Sequence, residues 1–372
     1  MGSRSILLFL LLAPCLVAGG PANPAQVTRF YFVDVGHGNA TFVVTASGET
    51  VLLDAGATRA AGRVLAFMEQ NGIKKIDYAI ISHFEDDHMG GAPLIAAKVP
   101  ILNFVDHGTS VVYEKDDAWW KQRRGPWFRE GMGKMYDRSF EAYRQARDKS
   151  HHMPVKAGDK IPIRGLDVQV VSAAGKTIVQ PMIKNLPSVA ACASIDKRAE
   201  DDAEDGQSLG VVLRHGKFRF IYLGDLTWNT ANALFCPKNL VGQVGAYVIT
   251  HHAQSMSKQF GDYYYGLSCC SAAEVHGLNP QVAMLSLGAL GHRDATPAAM
   301  QVVHGVSGLD LWQTEFIREG GERGYNGPED FIANLGQKSD TALYIELEAH
   351  ADGSFTMRNS RNGYTKTYPP RK

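Results

Sequence analysis

At 372 residues the chain is long enough to bury one large core, either plain or carrying insertions. Lys plus Arg and Asp plus Glu both number 38, so the formal net charge is zero. That excludes a protein that coats nucleic acid by bulk electrostatics and leaves room only for a local basic patch.

Met1 to Arg4 carries one positive charge, Ile6 to Val17 is apolar, and Ala18, Gly19 and Gly20 are small. A basic start, a short apolar stretch and small residues after it read as a secretory signal peptide over residues 1–22, and hence as a secreted or periplasmic protein. No later apolar run reaches the length of about 18 residues that a membrane span requires, so no integral membrane segment is expected after cleavage. Cys192, Cys236, Cys269 and Cys270 remain in the mature chain. Cys192 and Cys236 are the expected bridge in an oxidising compartment, since both lie in polar, Pro-containing loops.

Residues 27–372 read as a single domain. Val27 to Val35 is a strand that turns at Gly36-His37-Gly38, and Ala40 to Thr45 and Thr50 to Leu53 are the next two. Arg63 to Gln70 is an amphipathic helix stopped by Asn71-Gly72. Ile76 to Ser82 is a short buried strand, followed by a helix over Ala92 to Lys98. From about 107 to 152 the composition turns charged and aromatic, with Trp119, Trp120 and Trp127 among Arg and Lys, which reads as an insertion or lid. Strand-like alternation resumes over Val155 to Val171, then Ser208 to Leu213, Phe218 to Leu223, Ala246 to Ile249 and Val282 to Leu287. A hairpin across Asp352-Gly353 closes the chain. Hairpins first and strand–helix units afterwards give a layered α/β sandwich.

The chemistry concentrates where strands end. His83-Phe84-Glu85-Asp86-Asp87-His88 places imidazoles and carboxylates within six residues at a strand exit. Such groups repel or desolvate one another unless a cation or water satisfies them, and His83, Glu85, Asp87 and His88 are read as metal ligands. Three later strands each deliver polar residues at their ends: Asp225, His251-His252 and His292. Asp225 reads as a carboxylate bridging two metals, His252 or His251 as a further ligand, and His292 as a substrate contact. Asp34 and Asp54 also end strands, as partners orienting a ligand imidazole or as turn-fixing residues.

Together these residues resemble the metallo-β-lactamase-fold hydrolases, whose pattern is His-x-His-x-Asp-His, a further His, a Gly-Asp and a late His. His83, Asp87, His88, Asp225 and His252 (or His251) fall on it in order. Val33 to Ala40, Leu53-Asp54-Ala55-Gly56 and Gln207-Ser208-Leu209 are similar to the branch found in DNA-uptake competence proteins, which also includes stand-alone secreted hydrolases. Two departures stand out. Glu85 occupies a position where most members carry histidine and the competence branch commonly has a carboxylate. No histidine precedes Asp225 in the third motif; His152 is a distant candidate.

The resemblance implies an αββα sandwich of two mixed β-sheets flanked by helices. It also implies one or two divalent ions, zinc or manganese, with the carboxylate at Glu85 moving the preference away from zinc. One ion falls to Asp87, His88, Asp225 and His252, the other to His83, Glu85 and Asp225. The expected chemistry is hydrolysis by a metal-bound hydroxide, with Asp87 orienting the water or relaying a proton. A phosphodiester leads as the substrate, either a small molecule or an oligonucleotide. A lactam, lactone or thioester is the alternative within the fold, and a non-catalytic binding module with a degenerate site is the alternative outside it. No protein partner is expected.

Overall fold

The strands sort their side chains with the two-residue period of a pleated backbone, and that sorting defines the layers. Phe30 and Phe32 of Val27–Val33 enter one buried cluster while Tyr31 and Val33 enter another. On Phe218–Tyr222, Phe218, Phe220 and Tyr222 join Phe30 and Phe32, while Ile221 faces away. The computed structural model describes residues 27–124, 128–185, 188–255, 258–287, 295–317, 324–336 and 342–371. The expected signal segment, Trp127 and His292 lie outside these.

Among the described residues the first sheet has nine strands. Its order is Thr365–Tyr368, Phe355–Asn359, Tyr344–His350, Val27–Val33, Thr41–Val44, Thr50–Leu53, Ile76–Ile80, Ile101–Asp106 and His151–Pro154. Pairing is antiparallel as far as Thr50–Leu53 and parallel beyond it. The second sheet runs Ile332–Asn334, Asp310–Glu315, Val282–Leu285, Ala246–Val248, Phe218–Tyr222, Gly210–His215, Asp167–Ala173 and Lys160–Ile161, with Lys176–Thr177 beside Asp167–Ala173. Its first five strands are parallel and the rest antiparallel.

The inner faces of both sheets share one core, in which Phe220 lies 4.8 Å from Phe30 and 6.0 Å from Phe32, centroid to centroid. Helices Ala61–Gln70, Ala92–Ala96 and Met132–Arg147 bury Phe67, Ile95 and Tyr143 against the outer face of the first sheet. Trp228–Phe235, Ala272–Leu278 and Pro297–His304 bury Leu234, Val275 and Val303 against that of the second. The result is two mixed sheets face to face with helices outside, the αββα sandwich.

The expected insertion holds helices Asp117–Arg124 and Met132–Arg147. Its last residues, however, belong to the sheet: His151–Pro154 pairs in parallel with Ile101–Asp106, and His152 Nε2 lies 2.8 Å from Asp106 Oδ1. The segment is therefore the crossover between two neighbouring parallel strands. The alternation over 155–171 is broken by the left-handed glycines Gly158 and Gly165, so only Lys160–Ile161 and Asp167–Ala173 pair as strands there. The closing hairpin gains a third strand, Thr365–Tyr368.

Cys192 and Cys236 are bridged, with Cα atoms 5.6 Å apart, and the adjacent Cys269 and Cys270 form a second bridge. No helix among the described residues is long and apolar enough to cross a membrane.

Truncating the central ring, Phe220→Ala, should destabilise the protein by about 3–5 kcal/mol through lost burial and a cavity between the sheets. Denaturant unfolding checks this, and a change below about 1 kcal/mol would contradict the shared core.

Candidate metal centre

The functional side chains gather at one edge of the sandwich because parallel strands of both sheets end there, the usual location for a site in an open α/β sheet. Thr50–Leu53 ends in Asp54 and Ile76–Ile80 leads to His83. Phe218–Tyr222 leads to Asp225, Ala246–Val248 to His251-His252, and Val282–Leu285 to Ser286. Close backbone approach knits the edge together. A Cβ at Gly38, whose φ is +115°, would lie 2.2 Å from the Asp87 carbonyl oxygen, so only glycine fits.

His251, His252 and Ala253 all occupy the left-handed region, with φ of 48°, 49° and 61°. This uncommon run turns both consecutive imidazoles toward the same cavity. His252 Nε2 lies 3.4 Å from both Asp87 Oδ2 and Asp225 Oδ2. His251 Nε2 lies 3.8 Å from Asp205 Oδ2 and from Asp225 Oδ2.

Hydrogen bonds fix the tautomers. His252 Nδ1 donates to the Ser286 carbonyl at 2.8 Å and His251 Nδ1 to the Leu267 carbonyl at 2.9 Å. A carbonyl only accepts, so each Nδ1 carries a proton, and Nε2, aimed at the cavity, is the ring atom left to take a cation. His88 Nδ1 donates to Asp54 Oδ2 at 2.6 Å, and the same carboxylate accepts from Ser82 Oγ, the Ser82 amide and the Tyr222 hydroxyl. A carboxylate behind an imidazole is the arrangement that orients metal-ligating histidines.

Two groups of donor atoms result, each within 4.8 Å: Asp87, His88, Asp225 and His252, and His83, Asp205 and Asp225. In the first, His88 Nε2 lies 3.2 Å from Asp225 Oδ1, 3.1 Å from His252 Nε2 and 3.6 Å from Asp87 Oδ2. Four ligands about 2.1 Å from a tetrahedral ion stand about 3.4 Å apart, which matches this spacing. Two imidazole lone pairs at 3.1 Å demand a cation or a proton between them. In the second group, His83 Nε2 is buried with no hydrogen-bond partner among the described residues, and Asp205 Oδ1 is 3.5 Å away. A donor atom closed to solvent fits a small bare ion. Both donor sets therefore suit divalent cations, with Asp225 common to the two.

Charge in the site agrees. Burial would lower the His252 imidazole, but Asp225 and Asp87 push it up to about 10. Burial, then Glu85, Asp201 and Asp225, push Asp205 well above the usual carboxylate range. Burial would raise Asp87 too, yet His88, His252 and His37 hold it well below that range.

Several expectations change. Glu85 stands outside both donor groups, because Arg124 from the crossover takes its Oε1 at 2.5 Å. Asp205, three positions before Ser208, supplies the carboxylate at the place where the third motif lacks histidine. His152 pairs with Asp106 instead. Asp34 touches no imidazole of the group: it accepts from the Gly36 amide at 3.0 Å, Arg63 at 3.2 Å and Asn334 at 2.7 Å, fixing the Gly36–Gly38 turn. That turn carries His37, absent from the sequence-based set, whose Nε2 lies 3.3 Å from Asp87 Oδ2. Trp120 is buried against Tyr136 and offers no open stacking face.

Residues 33–173 match the model of the Metallo-beta-lactamase superfamily. The chain carries a metallo-beta-lactamase superfamily domain. Endoribonuclease ysh1 of Aspergillus fumigatus is 28% identical over 100 residues, covering 25% of this chain and 12% of that protein. Endoribonuclease ysh-1 of Neurospora crassa is 30% identical over 102 residues, with the same two shares. The chain thus spans about an eighth of the length of these curated relatives. Among solved structures, a metal-dependent hydrolase of the beta-lactamase superfamily aligns with a TM-score of 0.42 and 12% identity, over 77% of this chain and 96% of that one. The metallo-beta-lactamase match contains Asp54, His83, Asp87 and His88. Asp205, Asp225, His251 and His252 lie beyond it in sequence and reach the same centre through the second sheet.

Elemental analysis of purified protein should find up to two divalent ions per chain. Asp225→Ala, which touches both groups, should lose both ions, whereas Asp205→Ala should keep one. Equal retention in the two variants would refute the shared carboxylate.

Proposed function

We propose that the protein is a metal-dependent phosphodiesterase. The observation that carries this reading is the pair of adjoining cation-binding groups that share Asp225. Two cations side by side suit an anionic, oxygen-rich reacting centre, and when bound they supply Lewis-acid activation of water and of the phosphoryl oxygens. The name endoribonuclease, borne by the matched relatives, describes the same bond type and supports the reading over the 25% of this chain that aligns.

The chain's own residues do the positioning. Asp54 and the carbonyls of Ser286 and Leu267 lock His88, His252 and His251 with Nε2 toward the cavity. Asp225 joins the two groups, and Asp87 is the least buried carboxylate of the first. Asp87 therefore faces the space where water enters and orients the attacking molecule, while His37 and His252 hold its Oδ2 in place. The group around His83 and Asp205 is richer in carboxylate than the group around His88 and His252. That half is suited to manganese or magnesium and the other to zinc.

With manganese or zinc supplied, bis-p-nitrophenyl phosphate should be hydrolysed in preference to nitrocefin or a lactone. Asp87→Ala should lower kcat/KM by about a thousandfold or more with the fold retained by circular dichroism. Turnover of nitrocefin or the lactone without the phosphodiester would replace this reading with the other hydrolase class.

We also propose that the protein acts outside the cytoplasm. The two disulfide bridges suit an oxidising compartment, and the apolar N-terminal segment suits export. Expressed from Met1 in a secreting host, the protein should leave the cytoplasm shortened by about 22 residues as read by intact mass. A full-length cytoplasmic product would contradict this.

A further inference from the structure

The metal-binding groups open into a cavity of about 570 Å³, and part of its wall comes from the crossover between Ile101–Asp106 and His151–Pro154. Met132, Met135, Tyr136 and Ser139 all line it. They stand at i, i+3, i+4 and i+7 of the Met132–Arg147 helix, which makes them a single stripe along one face. Tyr136, Phe140 and Tyr143 hold this helix to the core with Met132 packed beside them, whereas Met135 joins no core cluster. Met135 is 58% exposed, a position where a polar residue would ordinarily stand. Ser139 anchors the stripe to the site through Asp86 at 3.3 Å, and Trp120 backs Tyr136 at 5.4 Å between ring centroids.

An apolar, thioether-rich wall beside a charged metal-binding floor calls for a substrate with both characters. Methionine is flexible and polarisable, and it packs well against the edges and faces of flat rings. The cavity has the volume of an ordinary small-molecule pocket. Building on the phosphodiesterase reading above, we infer that the substrate is a compact phosphodiester with a flat apolar group on one ester arm. The Met132–Met135–Tyr136 stripe receives that arm. On this view the crossover selects small aryl-like diesters over a polymeric nucleic acid.

The test separates this inference from the reading beneath it. Calorimetry of the manganese-loaded full chain compares diphenyl phosphate with dimethyl phosphate, two diesters that differ only in their arms. Diphenyl phosphate should bind about tenfold more tightly. The double variant Met132→Ala/Met135→Ala should reduce that ratio to about two or less, and Met135→Leu, which keeps the apolar surface, should preserve it. Equal affinity for the two phosphates in the wild type, or an unchanged ratio in the double variant, would overturn the inference and leave the phosphodiesterase reading standing. Binding of neither phosphate would sink both.

Discussion

Burial of several carboxylates around one point is the constraint on which the rest of this structure depends. Asp225, Asp205 and Asp54 are almost wholly removed from solvent, and Asp87 is largely so. Removing a carboxylate from water costs several kcal/mol unless opposite charge meets it. The protein meets that cost by ringing the carboxylates with imidazoles. Burial and neighbouring carboxylates displace Asp205 upward, Asp225 and Asp87 displace His252 upward, and the imidazoles that answer them displace Asp87 downward. A divalent cation answers the same carboxylates and releases the protons that they share.

Holding such a group requires the backbone to accept strain. His251, His252 and Ala253 are left-handed in succession, at a cost of about 1–3 kcal/mol each by the usual reckoning. The packing beneath them compensates. Thr250 donates to Glu274 Oε1 at 2.6 Å, Tyr247 donates to the same oxygen at 2.8 Å, and the Cys270 amide donates to Glu274 Oε2 at 3.1 Å. Glu274 is itself fixed at the start of its helix by Ser271, whose hydroxyl caps the Glu274 amide at 3.0 Å. The turn is thus determined from below by one buried carboxylate, while the cavity above it receives the two imidazoles.

The layers were legible in the sequence because the two-residue alternation on strands such as Phe218–Tyr222 leaves little choice of face. The cluster at His83–His88 was legible because polar side chains contributed by a single turn are neighbours in sequence. What stayed hidden depends on residues far apart. Glu85 has the spacing of a ligand, and its capture by Arg124, 39 positions away, appears only once the crossover folds back. Asp205 sits in the run Glu200 to Asp205, which resembles a solvated acidic stretch. Three of its other acids have separate partners: Asp202 pairs with Arg123, Glu204 is buried on Ser110 and His107, and Asp201 accepts from Thr227. A charge run gives no hint of such a division. His37 was hidden for another reason, since a lone histidine between two glycines reads as a turn.

The crossover also ties stability to the site. A connection between neighbouring parallel strands must traverse the sheet face, and this one does so with helices that add Phe140 and Tyr143 to the outer core. Its polar side chains reach two loops of the site: Arg124 meets Glu85 and Ser139 meets Asp86 on one, and Arg123 meets Asp202, near Asp205, on the other. Glu85 and Asp86 directly precede Asp87 and His88. Any movement of the crossover is therefore felt within two residues of the first donor group. The wall that shapes the cavity and the brace that steadies its floor are the same element, so a substitution on its inner face alters packing beside the donor groups as well as the space open in the cavity.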